Sequence, residues 1–182
     1  KRHLGQVFLD SRRHQMSKLS RARSFKNGGP LKGLPSEQDM SRYEEVDFSQ
    51  NSLTSDNFTQ VLTLIGHCKQ LRILKLFKNA LNDTDAAALA DFVAGCHTLE
   101  ELHLSHNHFT EDGVEKLVAA SEKSRLKDST PLWLRVEQND VAGPNRVIDH
   151  LQKRYSVCPR YDDRVCSTRA CEHNCKVHVP HF

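Results

Sequence analysis

The sequence predicts an α/β solenoid, built from short parallel strands alternating with helices. Two observations carry this. First, four segments share one pattern, L-x-x-L-x-L-x-x-N-x-L: "YEEVDFSQNSL" (43–53), "LRILKLFKNAL" (71–81), "LEELHLSHNHF" (99–109) and "PLWLRVEQNDV" (131–141). Their asparagines, Asn51, Asn79, Asn107 and Asn139, are spaced by 28, 28 and 32 residues. Second, the stretches between them are apolar at helical rather than alternating spacing. A single copy cannot bury its own apolar face, so copies must stack.

Each element can be justified in order. The L-x-L core of every copy reads as a strand whose leucines point inward. The asparagine turns the chain, and its amide can bond backbone groups that the turn leaves unpaired. Pro131 departs from the pattern at its first position. Between strands, Phe58, Val61, Leu62, Ile65 and Cys68 form one helical stripe, and Leu89, Phe92, Val93 and Cys96 a second. Val114, Leu117 and Val118 serve a third, and Val147, Ile148 and Leu151 a fourth. The clusters "LTSDN" and "LNDTD" precede helices and suit N-caps. Cys68 and Cys96 occupy equivalent positions and read as buried thiols acting as small hydrophobes.

This pattern is that of the leucine-rich repeat. The 28-residue period with helical connections resembles the ribonuclease-inhibitor-like subclass, over about residues 43–155. The resemblance implies a curved solenoid with a parallel sheet on the concave side and helices outside, and it implies binding rather than chemistry. In that register, residues between the inward leucines form ladders: Glu45, Ile73, Glu101, Trp133; then Asp47, Lys75, His103, Arg135; then Ser49, Phe77, Ser105, Glu137. Asp47 and Lys75 are expected to pair across strands. Lys75, Phe77, His103, Trp133 and Arg135 are the candidate protein-binding residues, with Phe77 and Trp133 expected as exposed aromatics. His106 and His108 flank a buried asparagine and are expected in solvent, so His103, His106 and His108 do not converge on a metal. The longer third interval arises from "SEKSRLKDST", read as a polar surface loop.

Three segments differ in charge. Residues 1–36 carry +8, residues 37–155 carry −6 and residues 156–182 carry +1. They are read as a basic extended arm, the repeat domain and a small Cys/His-rich module. The arm is too polar to offset its own ordering entropy. It reads either as a tail or targeting remnant, or as a segment that lies along RNA phosphates or an acidic protein. The candidate RNA contacts there are Arg12, Arg13, Lys18, Arg21, Arg23 and Lys26.

Four of the six cysteines fall in "CPRYDDRVCSTRACEHNC", as Cys158-x7-Cys166-x4-Cys171-x3-Cys175. Four thiolates suffice for Zn²⁺. The spacing resembles CCCH zinc fingers, with Cys175 where that family has His. The resemblance implies RNA contact, for which Tyr161, Arg164 and Arg169 are the candidates. His178 and His181 are possible substitute ligands. Zinc here has two uses open to it, covering the solenoid end or presenting the segment to RNA.

No run approaches the ~18 apolar residues of a membrane span, and no hydrophobic signal-peptide core follows Lys1. The expectation is an intracellular protein, with mitochondrion, nucleus and cytoplasm all compatible. No nucleophile–base pair, phosphate-binding glycine loop or carboxylate pair stands out, so the expectation is a non-enzyme without a small-molecule substrate. Two functions fit: a subunit or assembly factor of a large ribonucleoprotein, contacting protein and RNA; or a pure protein scaffold in a cytoskeletal, signalling or respiratory assembly, with a structural zinc.

Overall fold

Parallel strands cannot be joined by tight turns, so each must be followed by a crossover. The computed structural model shows that arrangement and describes residues 18–20, 37–126, 129–158 and 166–180. The order is β1 (Lys18–Ser20), α1 (Glu37–Met40), β2 (Glu45–Asp47), α2 (Ser55–Ile65), β3 (Ile73–Lys75), α3 (Asp83–Gly95), β4 (Glu101–His103), α4 (Glu111–Ser124), β5 (Leu132–Arg135), α5 (Pro144–Arg154) and β6 (Val177–His178). The six strands form one parallel sheet in sequence order.

The predicted ladders are observed. Val46, Leu74, Leu102 and Leu134 are in register and fully buried. Phe48, Leu76, Leu104 and Val136 form a second buried row two residues on. Burying each such side chain stabilises the fold by about 1.5–3 kcal/mol. From α2, α3 and α4, Phe58, Val61, Leu89, Val93, Val114 and Leu117 enter the same core.

Past β2, β3, β4 and β5 the chain turns through a left-handed residue: Gln50, Lys78, His106 and Gln138, with φ between 54° and 59°. Such a conformation costs about 1–2 kcal/mol for an L-residue. The following asparagine compensates. Asn79 Oδ1 accepts the backbone N–H groups of Asn51 (3.0 Å) and Leu53 (3.1 Å) in the preceding coil. Its Nδ2 donates to the carbonyls of Phe48 (3.1 Å) and Leu76 (2.8 Å). Asn107 and Asn139 make equivalent bonds. The repeat asparagine therefore joins adjacent coils as well as turning its own.

Helix starts are capped by the polar clusters. Asn57 accepts from the Thr54 N–H at 2.9 Å, and Asp85 from the Asn82 N–H at 2.9 Å. Asn82 in turn accepts from the Thr84 N–H at 2.9 Å. At α5, Gly143 takes φ 70° ahead of Pro144, a backbone that favours glycine.

Three features differ from the sequence reading. Lys18–Ser20 is a strand, paired with β2 in the register Leu19↔Val46, at the opposite sheet edge from β6. The stretch "SEKSRLKDST" is not all loop. Ser121–Ser124 complete α4, and Arg125 turns inward, 5% exposed. The Arg125 guanidinium donates to the carbonyls of Leu99 and Ser121 and to Ser124 Oγ, which meets the donors that burial would otherwise leave unpaired. Of the two equivalent cysteines, Cys68 is buried while Cys96 is only partly so. Burial pushes the Cys68 thiol up to about 11.

Candidate functional site

The helix-free face of the sheet, concave in this architecture, carries the ladders between the buried rows. Asp47, Lys75, His103 and Arg135 are in register, as are Glu45, Ile73, Glu101, Trp133 and His178. The expected Asp47–Lys75 pair is replaced. Lys75 Nζ reaches diagonally to Glu45 Oε1 at 2.6 Å, and Asp47 instead accepts the Ser49 N–H at 3.0 Å. His103 Nε2 meets Glu101 Oε2 at 3.0 Å, and Arg135 pairs with Glu137. The hydrogen bond to His103 is the main cause that holds Glu101 below the ordinary carboxylate value, against the effect of burial. The side chains that make this ladder read as basic in sequence, Lys75, His103 and Arg135, are thus each paired with a glutamate.

The two aromatics diverge. Phe77 is half-buried on this face. Trp133 is only 9% exposed, because β6 pairs beside it and the His178 ring lies 5.6 Å away, tilted by 38°. The expectation of an exposed Trp133 is corrected: register alone does not reveal the strand that covers it. His106 and His108 are exposed, His108 against Asp140 at 3.1 Å.

A second ladder lies just before the strands. Arg72 is bidentate on Glu100, at 2.8 and 2.7 Å, and reaches Glu44 at 3.5 Å. Arg169 extends the row, its Nε 3.7 Å from Glu100 Oε2. Its guanidinium, a candidate RNA contact, therefore has a carboxylate of the repeats beside it. Lys18 is placed by its backbone in β1, in register with Glu45. Arg12, Arg13, Arg21, Arg23, Lys26, Tyr161, Arg164 and His181 lie outside the described residues.

The cysteine-rich segment leaves α5 and returns to the sheet. Cys158 N–H donates to the Val177 carbonyl at 2.9 Å, and Leu132 N–H to the Lys176 carbonyl at 2.9 Å. This brings Cys158, Cys166, Cys171 and His178 together, with one donor atom from each within 4.8 Å of the others, a group that can hold a metal ion. Cys158 and Cys166 are each 5% exposed and His178 is 1% exposed. Cys158 Sγ and Cys166 Sγ are 3.8 Å apart, well beyond the ~2.05 Å of a disulfide. Both ring nitrogens of His178 are buried without a hydrogen-bond partner among the described residues. Burial pushes the imidazole down toward its neutral, ligating form, and pushes the Cys158 thiol up.

Cys175 lies outside that group of four. Its Sγ donates to the His173 carbonyl at 3.6 Å, while its N–H donates to Cys171 Sγ at 3.4 Å. Burial works to raise Cys171. The N–H groups of Cys175 and His173 outweigh it and lower the thiol. Asn174, at φ 53°, shapes this turn. Spacing alone put Cys175 ahead of His178. The available signal for His178 was its alternation with Val177, which reads as a strand.

No helix among the described residues is long and apolar enough to cross a membrane. Residues 67–90 and 95–118 match the family described as Leucine Rich repeat. Protein NLRC5 of Ictalurus punctatus is 28% identical over 107 residues, which are 58% of this chain and 6% of that protein. Protein NLRC5 of Homo sapiens is 32% identical over 85 residues, 45% of this chain and 5% of that protein. The chain thus corresponds to a small fraction of the length of these relatives.

Proposed function

We propose that this leucine-rich repeat protein is a non-catalytic binding subunit of a large assembly, and that it takes a polypeptide partner on the helix-free face of its sheet. One observation carries the reading: half-buried Phe77 stands beside the Lys75–Glu45 and His103–Glu101 pairs, an apolar anchor bordered by both signs of charge. Such a face suits a protein segment of mixed charge better than a uniform polyanion. The test is site-specific photo-crosslinking. A crosslinker at position 77 should capture a partner that one at Lys153, on α5, does not. Equal capture at both positions would reject the face.

The ribonucleoprotein reading is favoured by a separate feature, the +8 charge of residues 1–36. RNA binding through that segment should weaken steeply with salt and drop when Arg12, Arg13, Arg21, Arg23 and Lys26 are together replaced by Gln, which leaves the residues of β1 unchanged. Salt-insensitive binding, or a replacement without effect, would leave the protein scaffold as the function. The cysteine-rich segment serves either assembly as a zinc-bound cover of the sheet edge, since three thiolates and an imidazole suit Zn²⁺.

A further inference from the structure

Resting on that zinc reading, we infer that the ligands are Cys158, Cys166, Cys171 and His178, not Cys175, and that the ion locks β6 against β5. Four lines of geometry converge. Donor atoms from three separate stretches of chain lie within 4.8 Å of one another. Two thiolates at ~2.3 Å from one tetrahedral Zn²⁺ stand about 3.8 Å apart, and Cys158 Sγ and Cys166 Sγ are 3.8 Å apart. His178 is 1% exposed, and neither ring nitrogen has a hydrogen-bond partner among the described residues. An imidazole buried in that way lacks the partners that buried polar groups normally have, and a metal supplies one. Finally, the Cys175 thiol is not among the donors that converge, its Sγ donating to the His173 carbonyl at 3.6 Å, while its N–H bonds Cys171 Sγ at 3.4 Å.

The consequence reaches the binding face. His178 is in register with Trp133, and their rings are 5.6 Å apart. The ion that holds His178 therefore decides whether Trp133 is covered, and with it where the helix-free face ends.

The chain's single tryptophan makes this measurable. The purified full chain should contain one zinc per molecule. Removing it with a chelator should shift Trp133 emission to the red, and adding zinc back should reverse the shift. Cobalt substitution should give thiolate charge-transfer intensity for three sulfurs. Cys175→Ser should keep metal content, cobalt spectrum and zinc affinity unchanged. His178→Ala should weaken zinc affinity by more than ~100-fold, beyond the 10–100-fold typical of losing a supporting group, and His178→Cys should restore it. Retention of affinity by His178→Ala, or its loss in Cys175→Ser, overturns this ligand set while leaving zinc in place. Absence of metal after reconstitution, or a Cys158–Cys166 disulfide in its stead, overturns the zinc reading as well. Emission that does not move on metal removal overturns the locking of β6.

Discussion

The side-chain oxygen of Asn107 accepts the backbone N–H of Leu81, in the preceding coil, at 3.1 Å. The same side chain donates to the carbonyls of Leu76 (3.1 Å) and Leu104 (2.9 Å), and it is 3% exposed. Asn107→Ala strands the Leu81 N–H, at about 1–3 kcal/mol if water does not rescue it, while the Leu76 and Leu104 carbonyls each keep a second donor, Asn79 Nδ2 and Asn139 Nδ2. Asn51, whose amide nitrogen donates to the Ser49 carbonyl at 3.0 Å, marks the lighter end of the series. Urea unfolding should show Asn107→Ala as more destabilised than Asn51→Ala, by about 1 kcal/mol or more. Equal midpoints would refute the inter-coil role.

Gly113 lies inside α4, where alanine is ordinarily favoured by about 1 kcal/mol. Here a Cβ would come 2.1 Å from Asp83 Oδ1, a carboxylate held by the N–H of Thr110 at 2.9 Å and by its hydroxyl. Gly113→Ala is expected to destabilise the wild type by about 1–3 kcal/mol. In an Asp83→Ala background its cost should shrink or change sign. A double-mutant cycle measures the coupling, and additivity would sink the explanation.

Arg125 is a buried cation whose hydrogen-bond partners among the described residues are carbonyls and a hydroxyl, and burial pushes it down to about 10. Arg125→Ala opens a cavity and strands the Leu99 carbonyl, for a loss of about 2–4 kcal/mol. Arg125→Met keeps much of the stem packing and should recover part of that loss. Thermal melts of the two variants decide it; identical losses would mean that packing contributes little.

Glu101 is held below its ordinary value of 4.5, chiefly by the hydrogen bond to His103. Because the folded value is the lower one, its stabilisation is complete above about 4.5 and disappears as pH falls through the folded value. Stability of the wild type minus that of Glu101→Gln should therefore decline with acid below about pH 4.5. A difference that grows with acid would reverse the assignment. The side chain is partly exposed, so the effect is small.

How far the sequence carries this protein depends on how local each determinant is. The buried rows through Leu74 and Leu102, the coil-turning asparagines and the helix stripes are repeated four times, and repetition makes a pattern readable. β1 is less readable. Leu19 is in register with Val46, but the sequence two residues on has Arg21 in place of an apolar residue, so the apolar alternation fails after one residue. β6 is only two residues long and follows no repeat spacing.

Within the candidate site, the three cysteines are legible because thiols close in sequence are conspicuous. His178 stands in the sequence only as one of two substitutes, since its place in the group comes from its pairing with Trp133, a contact between residues 45 positions apart. The concave charges divide in the same way. Sequence places Lys75, His103 and Arg135 on one ladder, while the reach of each side chain selects Glu45, Glu101 and Glu137 as partners. The sequence by itself determined the periodic solenoid, because burial of a recurring apolar row needs only local spacing. Tertiary structure alone decided which donors meet at His178 and which face stays open, because both depend on chain segments that come together only after the coils have stacked.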